Sequence, residues 1–199
     1  MQIKVAKSAG FCFGVKRAVG IAESYAEKGI PAVTLGEIIH NPTVVESLRR
    51  RGVLPIENID ECPKGATVIL RSHGVPLSVI EKLEEKGIPY EDATCPFVAR
   101  IHKIVAERTA AGDVVILTGN PGHVEVKGII GHAKGDVRVV RNLSELEKLT
   151  ENENNLCANC YTLLSQTTFL RAEWEKCEKF AKRVYTNLLI FDTICYDAY

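Results

Sequence analysis

The sequence predicts an α/β protein made of repeated small modules, each with a parallel sheet, arranged around a central site. Short apolar segments alternate with helical segments along the 199 residues, a pattern typical of parallel strands joined by right-handed crossovers. Residues 66–71 form a near-continuous apolar run, as expected for a parallel strand buried on both faces. Several short motifs also occur twice, so the modules are predicted to be copies of one unit.

The first half of the chain holds three predicted strands, each followed by a helix. In order, these are strand 3–7, helix 15–28, strand 32–36, helix 44–51, strand 66–71 and helix 77–86. Val15 and Val19 recur at helical spacing in the first helix, which Gly29 stops. The second helix ends at Gly52 and the third at Gly87, because glycine commonly follows the last helical residue.

The second half continues the alternation. A helix begins at Pro96, since proline suits the first helical position, and it carries Ile101 and Val105 at helical spacing. The later elements are strand 114–118, helix 126–133, strand 137–141, a short helix opened by the capping box Ser144-Glu-Leu-Glu147, polar loop 151–155, strand 163–165, helix 172–184 and strand 188–194.

The composition is that of an ordinary soluble globular protein. Lys+Arg and Asp+Glu each number 25, and this balance argues against nucleic acid or an anionic membrane as the main partner. There is no apolar run of transmembrane length and no apolar core of a secretory signal. Seven cysteines, an odd number, favour thiols or metal ligands over a disulfide framework. The expected compartment is the cytoplasm.

The repeat is visible where the predicted strands end. Leu35-Gly36-x-x-x-His40 is matched by Thr118-Gly119-x-x-x-His123, and Asp92-x-x-Cys95 is matched by Asp192-x-x-Cys195. Leu70-Arg-Ser-His73 likewise resembles Leu163-Leu-Ser-Gln166. Chemistry in open parallel sheets collects at the carboxyl ends of the strands, so these positions predict the site.

Three cysteines lie at such strand ends, about one module apart. Cys12 and Cys95 also precede predicted helices, where the helix dipole favours a thiolate. With Cys195 they are expected to converge on one cavity. Three thiolates could hold an iron–sulfur cluster and leave one iron open to substrate.

Polar side chains occupy the other strand ends. His40, His73, His123 and the hydroxyl of Thr167 suit a small anionic ligand, because they can donate hydrogen bonds to phosphate oxygens. Glu125 is the carboxylate in these loops with a natural role as proton donor.

Six stretches together resemble one enzyme family in order and spacing. They are Gly10-Phe-Cys-Phe-Gly-Val15, Gly36-Glu-Ile-Ile-His-Asn-Pro42, Arg71-Ser-His-Gly-Val-Pro76, Asp92-Ala-Thr-Cys-Pro96, Gly122-His-Val-Glu-Val126 and Ser165-Gln-Thr-Thr168. The chain resembles 4-hydroxy-3-methylbut-2-enyl diphosphate reductase from its N-terminus to Cys195. Each motif alone would be weak, and their shared register makes the resemblance specific.

The resemblance implies a trefoil of three modules around a 4Fe–4S cluster held by Cys12, Cys95 and Cys195. It implies reductive removal of a hydroxyl from an allylic diphosphate, giving isopentenyl and dimethylallyl diphosphate. The diphosphate would contact His40, His73 and His123, and Thr167 would hold the substrate hydroxyl. Glu125 would deliver the proton. Electrons would come from a ferredoxin or flavodoxin, because the sequence has no Gly-x-Gly-x-x-Gly nucleotide motif.

The predicted organisation is an N-terminal strand (1–13), a first module (14–96), a second module (97–195) and a stub (196–199). Since the family continues into a third module after the last cysteine, we expect a truncated chain with little activity. The alternative is a non-catalytic remnant that binds zinc through the same thiols. Cys157 and Cys160 could form a redox pair or half a zinc site, whereas Cys177 is expected in the core.

Overall fold

The computed structural model describes residues 10–151 and 160–196. In chain order the helices are α1 (Phe13–Lys28), α2 (Pro42–Arg50), α3 (Leu77–Glu85), α4 (Pro96–Ala110), α5 (Val124–Ile130), α6 (Leu143–Glu151) and α7 (Arg171–Val184). The strands are β1 (Ala32–Leu35), β2 (Leu54–Ile56), β3 (Thr67–Leu70), β4 (Tyr90–Asp92), β5 (Val114–Thr118), β6 (Val137–Val140), β7 (Tyr161–Ser165) and β8 (Leu188–Ile190).

The strands form two four-stranded sheets of the same topology. The orders are β2-β1-β3-β4 and β6-β5-β7-β8, and every pair is parallel. This confirms the predicted α/β class and the predicted repeat. By contacts, the first unit contains residues 10–72 with Tyr90–Cys95, and the second contains His73–Pro89 with 96–151 and 160–196. The module boundaries at 14–96 and 97–195 stay a prediction.

The first unit packs small helical residues against its sheet. Ala18 and Ala22 of α1 are fully buried and form a core with Ile38 and Ile69. Their short side chains let the helix lie close to the strands. Gly29 ends α1 in the left-handed conformation, with a φ of 64°. Glycine adopts this conformation without steric cost.

The second unit buries both faces of its central strands. Ile116 of β5 packs with Trp174 on one face, and Leu117 packs with Ile101 on the other. Successive side chains of a strand point to opposite faces, so an apolar run is what a sheet covered on both sides requires. Cys177 lies in this core as predicted, and burial raises its pKa to about 11.

Several predicted boundaries are corrected by the structure. The capping box is wrong, because Asn142 caps α6: its side chain accepts from Glu145 N at 3.0 Å, and Ser144 lies inside the helix. The last strand ends at Ile190 rather than at residue 194. Beyond it the Thr193 hydroxyl, rather than the main chain, bonds the backbone of Ser165.

Two short strands, β2 and β4, were not predicted from the sequence. Some predictions concern residues outside the described ones. The strand β2 contains a proline, which sheets tolerate at an edge. The strand β4 spans three residues that carry no apolar run. The predicted strand 3–7, loop residues 152–155 and Cys157 lie outside the described residues. Within the described part of the chain, no helix has both the length and the apolar composition needed to cross a membrane.

Candidate active site

In the first unit, Cys12 and Cys95 each lie immediately before a helix. Cys12 is the N-cap residue of α1, and its side chain makes no capping hydrogen bond. Cys95 immediately precedes α4, as the sequence predicted. Both are half-buried, and neither forms a disulfide.

Gly14 brings the first turn of α1 against Cys95. A Cβ at this glycine would lie 2.5 Å from the Cys95 sulfur and 3.1 Å from its Cβ, so any larger residue would overlap the thiol. The glycine stands two residues after Cys12. The first unit therefore places one predicted cluster ligand beside the turn that carries another.

The segment before Cys95 is held by hydrogen bonds. The Arg17 guanidinium donates to Asp92 O at 2.9 Å and to Thr94 O at 3.1 Å. The Asp92 carboxylate accepts from Thr94 N at 2.8 Å, and Cys95 N donates to Ser72 O at 2.9 Å. The sequence analysis did not identify Arg17. Its position in the first helix, five residues after Cys12, could have marked it as a residue near the site.

His40 follows β1, where the sequence placed it. Its ring nitrogen Nδ1 lies 4.0 Å from the Glu37 carboxylate, and its side chain is 57% exposed. The next residue, Asn41, caps α2 by accepting from Thr43 N and Val44 N.

In the second unit, His73 and His123 lie together. Their ring centroids are 5.8 Å apart and the rings meet edge to face at 79°. His123 is the N-cap of α5, and its Nδ1 accepts from Glu125 N at 3.2 Å. A ring that accepts at Nδ1 carries its proton on Nε2.

Glu125 and Thr167 form a buried pair. Thr167 donates to the carboxylate twice, from N and from Oγ1, each at 2.7 Å. Glu125 is 1% exposed, and this burial raises its pKa, while the two Thr167 hydrogen bonds act in the opposite direction. The result is a carboxyl group that keeps a proton to a higher pH than an exposed glutamate does.

Cys195 is tied to the same pair. Its N–H donates to Thr167 O at 2.8 Å. Upstream, the Asp192 carboxylate accepts from Ile194 N at 3.3 Å and pairs with Arg171 at 2.5 Å. Arg171 was also missed by sequence reasoning, because it is distant in sequence and precedes the motif.

An open cavity of about 480 Å³ borders His123. Its other lining residues at the strand ends are Asn120, Arg141, Gln166 and Thr168. This volume lies in the range of small-molecule sites.

The sequence-predicted residues are divided between the two units. Cys12, His40 and Cys95 belong to the first unit, and the others, including Cys195, belong to the second. The predicted convergence of the three cysteines stays a prediction. Among residues 10–151 and 160–196, no three His, Cys, Asp or Glu side chains are grouped to hold a metal ion. The donor chemistry fits a cluster in two respects: the predicted ligands are thiols outside any disulfide, and the backbone of Gly14 packs closely on the sulfur of Cys95, where a side chain would overlap it.

Comparison with known proteins identifies one family. The family model described as LytB protein matches residues 3–199. A relative from Caldanaerobacter subterraneus subsp. tengcongensis, named 4-hydroxy-3-methylbut-2-enyl diphosphate reductase, is 40% identical over 199 residues. The match covers 98% of this chain and 67% of the relative.

Two solved structures share the fold. One is (E)-4-hydroxy-3-methyl-but-2-enyl diphosphate reductase, described as the terminal enzyme of the non-mevalonate pathway, with a TM-score of 0.84 and 36% identity over 98% of this chain and 68% of that chain. The Plasmodium falciparum E-1-hydroxy-2-methyl-but-2-enyl-4-diphosphate reductase gives a TM-score of 0.86 at 28% identity, covering 95% and 59%. Because the family match spans nearly the whole sequence, the chain belongs to the LytB family, whose relatives are 4-hydroxy-3-methylbut-2-enyl diphosphate reductases.

Proposed function

We propose that this protein is an iron–sulfur reductase that converts 4-hydroxy-3-methylbut-2-enyl diphosphate to isopentenyl and dimethylallyl diphosphate. The observation that carries the proposal is the link from Glu125 through Thr167 to Cys195. A buried acid is hydrogen-bonded by Thr167, and the carbonyl of the same threonine accepts the Cys195 N–H. The proposed proton donor and a proposed cluster ligand are thus both hydrogen-bonded to Thr167.

The reaction defines what the protein must supply. The allylic C–O bond breaks, the hydroxyl leaves as water, and a C–H bond forms at either end of the allyl fragment. This takes two electrons and two protons for each substrate molecule. A one-electron carrier, a ferredoxin or flavodoxin, would deliver the electrons, in the cytoplasm.

Cys12, Cys95 and Cys195 would hold a 4Fe–4S cluster. When bound, the cluster supplies the electrons and an iron with an open coordination position. The support in this chain is the pair of half-buried thiols beside helix starts and the glycine packed on the Cys95 sulfur. A helix N-terminus suits an anionic group, because its unpaired N–H groups carry partial positive charge.

The diphosphate would be bound by His40, His73 and His123. Of these, His123 presents an Nε2 proton as a hydrogen-bond donor, since its Nδ1 is occupied by Glu125 N. The neighbouring His73 ring can contribute to the same ligand, because one diphosphate spans several oxygens. Hydrogen bonds between a donor and an ionised phosphate are about twice as strong as neutral ones.

Glu125 and Thr167 would act on the hydroxyl that leaves. Burial raises the pKa of Glu125, so its carboxyl keeps a proton to a higher pH than an exposed glutamate does. The protonated carboxyl is the form that an acid catalyst needs. Thr167 would orient the substrate hydroxyl and relay the proton, since its own hydroxyl already bonds the carboxyl at 2.7 Å.

The test is anaerobic reconstitution of the full chain with iron and sulfide. We expect the sulfide-to-iron absorption of a cluster, its loss in Cys95→Ser, and its retention in Cys177→Ser, which changes a core thiol of the second unit and serves as the control. Turnover is then measured with a chemical reductant. A colourless protein that carries stoichiometric zinc and does not turn over would instead support the remnant alternative.

A further inference from the structure

The segment that carries His73 lies along α5 in the second unit. A Cβ at Gly128 would lie 3.5 Å from His73 O. A Cβ at Gly131 would overlap Pro76, whose Cα would be 2.7 Å away. The two glycines are three residues apart and share a helix face. Their lack of side chains therefore lets residues 73–76 approach the helix closely.

Hydrogen bonds fasten the same segment. His132 Nε2 donates to Val75 O at 3.0 Å, and Leu77 N donates to Gly131 O at 3.3 Å. The ring of His102, from α4, stacks on the His132 ring with centroids 4.1 Å apart and an interplanar angle of 20°. The stacking restricts the orientation in which His132 can reach the carbonyl.

These contacts connect two residues of the proposed substrate site. His123 is the N-cap residue of α5 and Gly131 is its C-cap residue. The segment fastened to this helix begins at His73. We propose that His132 and Gly131 are positioning residues, which fix residues 73–76 on α5 and thereby set the geometry of the His73 and His123 rings. The consequence for substrate rests on the proposed function, in which both rings bind the diphosphate.

The expected effect is on binding rather than on bond breaking. Neither positioning residue touches the Glu125–Thr167 pair in the contacts described for that pair. Displacing His73 costs one charge-assisted hydrogen bond, which corresponds to about a tenfold rise in the dissociation constant or KM. The value of kcat should stay within about twofold, since the proton donor is unchanged.

The experiment compares four variants of the full chain. His132→Leu removes the donor to Val75 O, and His132→Gln restores an N–H at a similar distance. Gly131→Ala adds only the Cβ that meets Pro76, because Gly131 already has φ −65°, which alanine adopts freely. Gly20→Ala, in a helix with nothing within 4 Å of the added Cβ, is the matched control.

Two readouts are used. NMR cross-peaks between the His73 and His123 ring protons report their contact, and calorimetry reports the binding of inorganic pyrophosphate. We expect His132→Leu and Gly131→Ala to weaken the cross-peaks and pyrophosphate binding by about tenfold, and His132→Gln and Gly20→Ala to retain both. Should His132→Leu not fold, Gly131→Ala and His132→Gln decide the question.

Unchanged cross-peaks in Gly131→Ala and His132→Leu would overturn the positioning role, whether or not pyrophosphate binds. Altered cross-peaks together with a wild-type chain that does not bind pyrophosphate would support the positioning role and count against the proposed diphosphate site. The two failures are therefore distinguishable.

Discussion

The two units use the same framework in different ways. In both, an aspartate three residues before the cysteine accepts an N–H two residues on, Thr94 N in the first unit and Ile194 N in the second. In both, the cysteine N–H donates to a carbonyl beyond the neighbouring strand, Ser72 O or Thr167 O. The two units therefore hold the backbone around their cysteine with the same two kinds of hydrogen bond.

The strand-to-helix loops differ. In the first unit His40 precedes the cap residue Asn41 and is exposed. In the second unit the matching histidine, His123, is itself the cap, and it accepts from Glu125 N. The residue that matches Glu125 in the first unit is Pro42, which begins α2.

This difference shows that the buried carboxyl belongs to one copy, so the proposed acid chemistry is assigned to the second unit. The helix of the second unit is capped one motif position earlier, so His123 itself accepts from Glu125 N, and position 125 holds a buried carboxyl. The first unit supplies thiols and an exposed imidazole. The second supplies the carboxyl with a raised pKa.

The largest expected effect comes from removing that carboxyl. We expect Glu125→Gln to lower kcat by about 10²- to 10⁴-fold, the usual contribution of a positioned acid. Gln can still accept from Thr167 N, so the fold should persist. The measurement is steady-state turnover with a chemical reductant under anaerobic conditions. The matched variant in the first unit is Glu37→Gln, beside His40, and equal losses in both variants would contradict the assignment of acid chemistry to one copy.

The next effect concerns the first unit. Gly14→Ala places a Cβ 2.5 Å from the Cys95 sulfur, so the thiol must move and cluster assembly should fail in most molecules. Iron and sulfide content after reconstitution measures the loss. Gly20→Ala lies in the same helix with nothing within 4 Å of its added Cβ and should assemble normally. Normal iron content in Gly14→Ala would show that the sulfur adjusts without cost.

The sequence predicted most of what is local or periodic. Strand β5 has the predicted bounds of 114–118, because four consecutive apolar residues followed by a threonine leave little ambiguity about where the strand lies. The repeat also predicted two sheets of equal topology. Helix caps were predicted less well: Asn142 and Ser144 are both capable caps, and only the position of Glu145 in the folded chain decides between them.

The long-range contacts of the site could not be predicted in this way. Arg17 and Asp92 are 75 residues apart. The periodicity of α1 does not specify that the Arg17 side chain will reach the main-chain carbonyl of Asp92. The Glu125–Thr167 pair spans 42 residues, and the resemblance assigned both residues a role without giving their contact. Such pairs depend on how closely the helices approach the strand ends.

A smaller effect separates the two arginines that hold the cysteine segments. Arg17 makes two hydrogen bonds to main-chain carbonyls, a part-buried one to Thr94 O and an exposed one to Asp92 O. Arg17→Met should cost about 1–2 kcal/mol of unfolding free energy, chiefly through the part-buried bond, since water can replace the exposed one. Arg171 pairs with an Asp192 side chain that is 42% exposed, and Arg171→Met should cost less than about 1 kcal/mol. Urea unfolding measures both. A larger loss for Arg171 would reverse the inferred ranking.

The smallest effect is a difference in how stability depends on pH. Burial raises the pKa of Glu125 above the ordinary glutamate value of 4.5, so the folded state binds this proton more tightly than the unfolded state. Its stabilising contribution is therefore present below pH 4.5 and is lost as the pH rises through the folded-state pKa. The unfolding free energy of the wild type, relative to Glu125→Gln, should fall as the pH increases.

The stability contribution of Glu145 should change with pH in the opposite direction, because hydrogen bonds from Arg141 lower its pKa. This contribution is present above pH 4.5 and is lost on acidification. Urea unfolding of the wild type, Glu125→Gln and Glu145→Gln is measured between about pH 3 and pH 8. The Glu125 contribution should fall and the Glu145 contribution should rise as the pH increases, and slopes of the same sign would mean that the buried carboxyl of the second unit titrates like an exposed one.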